Sequence, residues 1–465
     1  MASTNRYLTS RKKSPGRRQL GRAKFGGTSV GKFAVQIAED IVLLLRAARE
    51  AEKATSRKYV DIVEVIRLDH IACARDTIRS ADILDRYTLS VNEECATLVK
   101  ILESAQHLAE VSLRTEDKIV AKGEKLSCLY MTALLEDRGA KAAYVDLSDI
   151  INFDVSRGVD DEFYKHLALR LAEVVLACED AVPVITGYFG NVPGGLLTQI
   201  GRGYTDLCAA LVAVGLRASE LQIWKEVNGI FTADPRKVPT ARLLESVTPS
   251  EAAELTFYGS EVIHPFTMDQ VIRASIPIRI KNVKNPRGQG TVVLPDALDA
   301  AIGKKPALFR NRSAQTSHSR DREARYHGPE RALEKRTRAH GFLMSIFSIL
   351  DKWSLSVDLI SSSEVHVSMA LHSEVALLSG SGPEEMKIES EALKGAVEDL
   401  NRLGDIDLVP NMAVISLIGS QLKSMIGVAG NQGASEINIS CVIEASEANR
   451  ALNVVHTNLF TFLEE

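Results

Sequence analysis

The stretch Gly201-Arg-Gly-Tyr-Thr-Asp206 lies at the centre of an alternating pattern of strands and helices. An apolar segment at 181–186 predicts a buried strand before it, and a helix after it leads to a second strand at 221–224. Similar segments at 141–147 and 276–283 are separated from these strands by helical patterns of about 10 to 15 residues. This alternation predicts an α/β fold with a mostly parallel sheet sandwiched by helices.

The composition is that of a globular protein, with 45% hydrophobic and 25% charged residues among 465. A net charge of -4 gives no global attraction to nucleic acid, so we expect no nucleic-acid partner. The six cysteines form no Cys-x-x-Cys pair and no histidine cluster has metal-ligand spacing. We therefore expect a reduced, cytoplasmic protein without a protein-held metal site. Because no apolar run reaches about 18 residues, we expect no membrane span.

Three regions are predicted before the C-terminal part of the chain. Residues 1–22 are basic and contain several serines, which predicts a flexible tail, with a mitochondrial presequence as the alternative. The α/β pattern predicts one domain over 23–300. Residues 301–340 are rich in Arg, Lys and Ser and show no periodicity, so we interpret them as a linker.

An internal repeat marks the C-terminal region. Ser363-Glu-Val-His-Val-Ser368 matches Ser435-Glu-Ile-Asn-Ile-Ser440, and each copy alternates apolar and polar side chains as a half-buried strand does. An apolar helical segment lies near each copy. The repeat predicts two small ferredoxin-like βαβ modules at 341–400 and 401–465, the second one shortened. A chance similarity between two strand patterns is the alternative.

The stretch Lys24-Phe-Gly-Gly-Thr-Ser-Val-Gly31 predicts an anion site ahead of a helix. Gly26 and Gly27 let backbone N–H groups approach a phosphate closely, and Thr28 and Ser29 add hydroxyl donors. The lysine adds a point charge that suits phosphate. The spacing is not that of a Walker A loop, and a tight turn with a solvated lysine is the alternative.

The glycine-dense segment 187–206 predicts a second ligand loop. Arg202 has the planar fork that binds a carboxylate through two hydrogen bonds. Asp206 lies at a helix start, where it either caps the helix or orients a lysine and a metal-bound phosphate.

The segment 224–236 follows a predicted strand, and its turn residues Asn228-Gly229 and Asp234-Pro235 predict a loop at the carboxyl end of that strand. Ligands bind at this end of the strands in α/β proteins. Phe231 could stack on a base and Arg236 could contact phosphates. An ordinary surface loop is the alternative.

In this order the motifs resemble those of the amino-acid kinase family, and specifically its aspartate kinases. The resemblance rests on five stretches, which are Lys24–Gly31, Gly123-Glu124-Lys125-Leu126, Gly201–Asp206, Thr232-Ala-Asp-Pro-Arg236 and Val262-Ile-His-Pro265. The variants Gly203-Tyr-Thr205 and Trp224-Lys-Glu226, with Gln432–Ser440, look like the fungal branch. The repeat then resembles the tandem ACT domains of these enzymes, where pathway end products bind.

The resemblance implies transfer of the γ-phosphoryl group of ATP, with Mg²⁺, to the β-carboxylate of L-aspartate. It implies that Lys24 neutralises the transferring phosphoryl group and that Asp206 organises the lysine and the metal-bound phosphates. Glu124 would hold the substrate ammonium group and Arg202 its α-carboxylate, with Thr28 and Ser29 as further donors. The nucleotide-binding positions would be Gly26, Gly27, Lys225, Glu226, Phe231 and Arg236.

The ACT resemblance also implies an amino-acid effector and pairing of these domains across subunits, so a homo-oligomer is expected. Asp358, Ser361, Ser363 and Glu364 are the candidate effector-site residues. A plain structural role in a strand and its turn is the alternative.

The chain departs from the family pattern at four places. Gly16–Ala23 lacks the apolar run of the strand expected before Lys24, and the first helix passes directly into Leu43-Leu-Leu-Arg46. Before the helix that begins at Leu43, the family has a buried strand and a Thr that helps to bind aspartate, and neither has a counterpart here. Residues 304–340 stand where the first ACT strand is expected, and at Gly430 a helix and a strand are skipped. Losing one preorganised donor costs roughly 10²–10³ in rate, so we expect impaired or absent activity.

Two functions are compatible with this sequence. The first is an aspartate kinase that supplies threonine and methionine, or a dedicated copy for a secondary metabolite such as fusaric acid. The second is a catalytically impaired remnant that acts as an amino-acid-binding or oligomerising module. Retention of Lys24, Glu124, Arg202 and Asp206 favours the enzyme, whereas the departures favour the remnant. The tandem ACT pattern disfavours a glutamate 5-kinase.

Overall fold

The chain divides into two compact units in a computed structural model. The first unit comprises Met1–Asn228 and Ile263–Leu298, and the second comprises Gly229–Val262 and Asp299–Glu465. The structure describes residues 21–25, 43–53, 55–153, 155, 158–190, 192, 195–200, 203–257, 263, 265–294, 316–318, 326–329, 341–362, 367–372, 378–379, 387–388, 390–419 and 438–458.

The helices and strands are numbered along the chain. The helices are α1 (43–51), α2 (Lys58–Thr77), α3 (Ala81–Leu108), α4 (Leu113–Asp137), α5 (Asp161–Leu176), α6 (Leu196–Gln199), α7 (Tyr204–Gly215), α8 (Pro249–Phe257), α9 (Pro265–Arg273), α10 (Phe342–Lys352), α11 (Glu391–Leu400) and α12 (Ala448–His456). The strands are β1 (Gly21–Phe25), β2 (Ala142–Val145), β3 (Val182–Ile185), β4 (Glu220–Lys225), β5 (Ser246–Val247), β6 (Ile278–Asn282), β7 (Thr291–Val293), β8 (Thr316–His318), β9 (Tyr326–Pro329), β10 (Ser356–Ser362), β11 (Val367–His372), β12 (Leu378–Ser379), β13 (Lys387–Ile388), β14 (Leu408–Ile418) and β15 (Asn438–Glu444).

Long helices build one core of the first unit. The buried side chains of α3 recur every three or four residues, which places them on one face of the helix. That face packs against α2 and α4 in a cluster that includes Tyr59, Ile66, Leu98 and Leu126. Among the described residues, no helix has the length and apolarity that a membrane span requires.

The strands of the first unit are mostly parallel. β1, β4 and β6 pair in parallel in that order, β7 pairs antiparallel with β6, and β2 pairs in parallel with β3. Helix α5 connects β2 to β3, and its first turn is capped by the Asp160 side chain, which accepts a hydrogen bond from the Phe163 backbone at 2.8 Å. The predicted α/β class with a mostly parallel sheet is confirmed.

Antiparallel strands and the helices α8, α10, α11 and α12 lie in the second unit. β14 pairs with β15, β8 and β9, while β10 pairs with β11. Helices α10 and α11 share an apolar cluster with these hairpin strands that includes Ile346, Leu350, Met369 and Leu393. This strand-and-helix composition agrees with the predicted ferredoxin-like modules, although residues 363–366 and 431–437 of the repeat lie outside the described residues.

One local expectation is wrong. A strand does lead into Lys24, although the sequence before it has no apolar run. β1 is held in the sheet by backbone pairing with β4, in which Lys24 is the partner of Ile223. Glu124 lies in the middle of α4. A single glycine costs a helix only about 1 kcal/mol, so Gly123 does not interrupt an otherwise amphipathic segment.

The predicted domain boundaries remain predictions. Within the predicted linker 301–340, the structure describes the short strands β8 and β9, which pair with β14 of the C-terminal region. The segment 229–262, which the sequence places within the catalytic domain, groups with the C-terminal region instead.

Gly215→Ala should lower the free energy of unfolding by about 1–3 kcal/mol, because the contact between α5 and α7 has no room for a methyl group. A Cβ at Gly215 would lie 2.0 Å from the Ala168 carbonyl oxygen. Chemical denaturation followed by circular dichroism measures the change. Gly123→Ala is the matched control, since its Cβ would meet only the end of the Leu44 side chain, at 3.3 Å. Equal midpoints for Gly215→Ala and the unmodified chain would contradict the close packing.

Candidate functional site

The carboxylate of Glu124 is held from two directions. The Tyr204 hydroxyl donates a hydrogen bond to Glu124 Oε1 at 2.6 Å, and the Tyr188 backbone N–H donates one to Oε2 at 2.8 Å. Glu124 comes from α4, Tyr188 from the loop after β3, and Tyr204 from the first residue of α7. Each oxygen of the carboxylate therefore has a fixed donor, and the side chain has a defined orientation.

Close packing after β3 makes this arrangement possible. A Cβ at Gly187 would lie 2.6 Å from Thr205 Cγ2 and 3.0 Å from Glu124 Oε2. The buried Thr186 hydroxyl accepts a hydrogen bond from the Leu147 backbone at 3.0 Å and donates one to the Tyr188 carbonyl at 3.2 Å. The loops at the carboxyl ends of β2 and β3 are thus tied together, at the edge where α/β proteins bind ligands.

Asp206 shares the first turn of α7 with Tyr204. The residue is buried, at 9% exposure, in the first helical turn, where the backbone N–H groups favour negative charge. Burial raises the pKa of the Tyr204 phenol, and the neighbouring Glu124 charge raises this pKa further. The phenol therefore keeps its proton at neutral pH and acts as a donor toward Glu124.

Two ion pairs involve lysines that neighbour Glu124 in α4. The Lys125 ammonium group pairs with Asp146 at 2.5 Å just after β2, and Lys122 pairs with Glu94. Burial opposes ionisation of Asp146, but hydrogen bonds from Lys125 and Ser148 hold the pKa of this carboxyl below its usual value. Sequence reasoning missed Asp146, although a carboxylate directly after a predicted strand is the signal that could have found it.

The predicted nucleotide-binding residues lie at two places. In the first unit, Lys225 ends β4 half-buried and Glu226 is exposed just after it. In the second unit, Phe231 is half-buried in a bridge to Leu243, and Arg236 is exposed.

Arg236 forms a fork with one carboxylate of its own loop. Its Nε and Nη2 atoms donate to Asp234 Oδ2 at 3.0 and 2.7 Å, and these hydrogen bonds lower the pKa of Asp234. The guanidinium side chain remains 82% exposed, so a phosphate can reach it.

Several predicted residues cannot be assigned a geometry. Lys24 is placed in β1 by its backbone pairing, and no side-chain position is described for it. The remaining predicted residues outside the described part of the chain are Gly26, Gly27, Thr28, Ser29, Arg202, Ser363 and Glu364.

Two candidate effector residues fall on β10. Asp358 lies where the register between β10 and β11 shifts, which makes it the extra residue of a β-bulge. Ser361 pairs with Ser368 and is exposed. Among the described residues, no group of three or more His, Cys, Asp or Glu side chains has the geometry to hold a metal ion.

Helix α12 supports the loop that carries Phe231 and Arg236. The fully buried His456 ring hydrogen-bonds through Nε2 with the Thr232 hydroxyl at 2.9 Å and through Nδ1 with the Thr240 hydroxyl at 3.2 Å. Leu452 packs against Ala233 and Val238 of the same loop. Because the hydrogen-bonded residues are 216 and 224 positions apart, no local sequence signal could have revealed this contact.

Comparison with protein families identifies two regions. The model of the amino acid kinase family matches residues 23–282, and an ACT domain model matches residues 430–459. The aspartokinase of Schizosaccharomyces pombe is 46% identical, over 94% of this chain and 92% of that protein. The aspartokinase of Saccharomyces cerevisiae is 47% identical over the same shares, and aspartate kinase FUB3 of Gibberella moniliformis is 40% identical over 94% and 97%.

Solved structures show the same fold at lower identity. Escherichia coli aspartokinase III in complex with lysine and aspartate matches with a TM-score of 0.72 and 24% identity, over 95% of this chain and 99% of that chain. Clostridium acetobutylicum aspartate kinase matches with a TM-score of 0.68 and 20% identity, over 95% and 100%. These two likenesses show the fold alone.

His456→Asn should reduce the loss of stability at acidic pH. Burial and the nearby Arg242 charge lower the pKa of His456 below 6.5. The unfolded chain therefore takes up this proton first, and the free energy of unfolding falls as the pH drops below about 6.5. Denaturation midpoints compared at about pH 7.5 and 5.5 should differ less in His456→Asn than in the unmodified chain. His107→Asn, at an exposed position, should show the same difference between the two midpoints as the unmodified chain. If all three proteins showed the same difference, His456 would not be the cause of the pH dependence.

Proposed function

We infer that this chain, which belongs to the aspartokinases of the amino acid kinase family, transfers the γ-phosphoryl group of ATP to L-aspartate and forms 4-phospho-L-aspartate. The observation that carries this proposal is the 46–47% identity with two aspartokinases over about nine tenths of both partners. Its geometric support is the Glu124 carboxylate, which two hydrogen bonds orient at the carboxyl ends of the strands.

The chemistry requires alignment more than proton transfer. The β-carboxylate of aspartate is already ionised at neutral pH, so it can attack phosphorus without a general base. What the protein must supply is a fixed substrate and neutralised charge. We propose that Glu124 holds the ammonium group of aspartate, that Arg202 binds its α-carboxylate, and that Thr28 and Ser29 add donors.

We expect the protein to bind ATP both at its phosphates and at the rest of the nucleotide. Lys24, with the backbone at Gly26 and Gly27, is proposed to bind the phosphates, and Lys225, Glu226, Phe231 and Arg236 are proposed to bind the rest of the nucleotide. Mg²⁺ usually takes one or two carboxylates and otherwise phosphate oxygens and water. The buried Asp206 carboxylate at the start of α7 fits that role, and bound Mg²⁺ would neutralise charge on the phosphates.

Regulation and assembly complete the proposal. We propose that the ACT region binds an amino-acid effector at Asp358, Ser361, Ser363 and Glu364, that the chain forms a homo-oligomer, and that it works in the cytoplasm. The β-bulge at Asp358 supports the effector site, because bulges redirect side chains next to functional sites. The product leads toward homoserine, threonine and methionine, or toward a dedicated metabolite such as fusaric acid. Threonine and methionine auxotrophy after gene deletion would identify the first setting.

Glu124→Gln should lower kcat/KM for aspartate by roughly 10–100-fold, since a charged hydrogen-bonding partner of the ammonium group is lost. Coupled ADP release with aspartate as the varied substrate measures this change. Glu136→Gln, which changes a half-buried carboxylate that pairs with Arg86 near the end of the same helix, should leave the rate unchanged. An unaffected Glu124→Gln enzyme would remove this residue from the substrate site.

The unmodified chain should turn over aspartate more slowly than the Schizosaccharomyces pombe enzyme, by roughly 10²–10³-fold. The reason is that the alignment with that protein spans 492 positions, more than the 465 residues of this chain, so the relative has segments without a counterpart here. Assays of aspartate-dependent ADP release by both purified proteins under the same conditions measure this difference in rate. Equal rates would show that the segments are dispensable, and no aspartate-dependent ADP release at all would leave the non-catalytic remnant as the function.

A further inference from the structure

Tyr204 stands out in the proposed substrate site because its hydroxyl reaches the carboxylate that is expected to bind the substrate. The O–H of Tyr204 donates to Glu124 Oε1 at 2.6 Å, the usual length of a charge-assisted hydrogen bond between a hydroxyl and a carboxylate. The ring is 5% exposed and packs in the apolar cluster that also contains Phe189 and Leu207. The ring position is therefore fixed by packing, and the direction of the O–H bond is fixed with it.

The same hydrogen bond joins two elements of the site. Glu124 lies in the middle of α4, whereas Tyr204 begins α7 two residues before Asp206. A longer or missing bond would let the Glu124 side chain change rotamer without any change in backbone structure. The Tyr188 backbone donor would remain at Oε2, but the donor that Tyr204 supplies to Oε1 would be lost.

We propose that Tyr204 is the positioning residue that makes this chain selective for acceptors with an α-ammonium group, by holding Glu124 in the orientation that receives this group. The proposal rests on the function proposed above and assigns the selectivity to one hydroxyl. Tyr204 is not a catalytic residue in this description, because it acts on the substrate through Glu124. An acceptor analogue without the ammonium group, such as succinate, gains nothing from this orientation.

Tyr204→Phe tests the proposal while keeping the ring and its packing. We expect KM for aspartate to rise about tenfold, as is typical when a hydrogen bond to a charged group is lost. KM for ATP should stay unchanged. The inhibition constant of succinate against aspartate should also stay unchanged, because succinate has no ammonium group for Glu124 to bind. Disturbed folding around the site would instead weaken aspartate and succinate alike.

Tyr144→Phe is the matched control. Its hydroxyl is buried at the end of β2 and has no hydrogen-bond partner among the residues that the structure describes. This substitution should leave the kinetic constants of aspartate, ATP and succinate unchanged. In the Glu124→Gln background, Tyr204→Phe should add less than twofold, because the charge that the hydroxyl positions has already been removed.

The outcomes separate this proposal from the proposed function. Suppose that the unmodified chain phosphorylates aspartate. If Tyr204→Phe has the same KM for aspartate, or raises this KM and the inhibition constant of succinate by the same factor, the role of Tyr204 is overturned and the kinase function stands. If no phosphorylation occurs, the kinase function fails, and calorimetric titration with aspartate decides the role of Tyr204. Weaker aspartate binding in Tyr204→Phe than in Tyr144→Phe supports it, and equal or absent binding in both overturns it.

Discussion

The two hydrogen bonds that reach Glu124 are the constraint on which the first unit's site depends. They come from the loop after β3 and from the first residue of α7, so a single carboxylate fixes three elements relative to one another. Gly187 is the condition for this arrangement, because a side chain there would push Thr205 and Glu124 apart. Under the proposed function, a substrate ammonium group would meet an already oriented carboxylate, so its alignment would cost little entropy.

A second fixed contact organises the loop with Phe231 and Arg236. Here the support comes from α12, whose buried His456 ring binds two threonine hydroxyls and whose Asn453 amide donates to the Lys237 carbonyl at 3.1 Å. Helix α12 lies within the segment that matches the ACT domain. The loop with Phe231 and Arg236 and the ACT region therefore share one packed cluster. A shift of α12 would move this loop.

The sequence predicted the fold class because alternation of apolar strands and helices is a local signal, and β2, β3, β4 and β6 all appear within a few residues of their expected positions. The assignment of Glu124 and Asp206 to the site, which rests on contiguous motifs, stays a prediction. Sequence reasoning failed where a feature depends on residues that are distant in the chain. The polar strand β1 is held by its ladder with β4, and the partners of His456 come from a distant part of the chain. Tyr204 stood inside a recognised motif, but only the geometry connects its hydroxyl to Glu124.

The departures from the family pattern bear differently on stability and on catalysis. The first unit has a well-buried core, in which side chains such as Tyr59, Leu98 and Leu126 are almost fully inaccessible to water, and this apolar burial favours folding. Catalysis has a narrower tolerance, because a misplacement of about 1 Å can cost 10²-fold in rate. The parts that the structure describes retain the orientation of Glu124 and the buried Asp206. What the shortened chain loses is therefore expected to appear as a lower rate on the same substrate, rather than as a different fold or a different reaction.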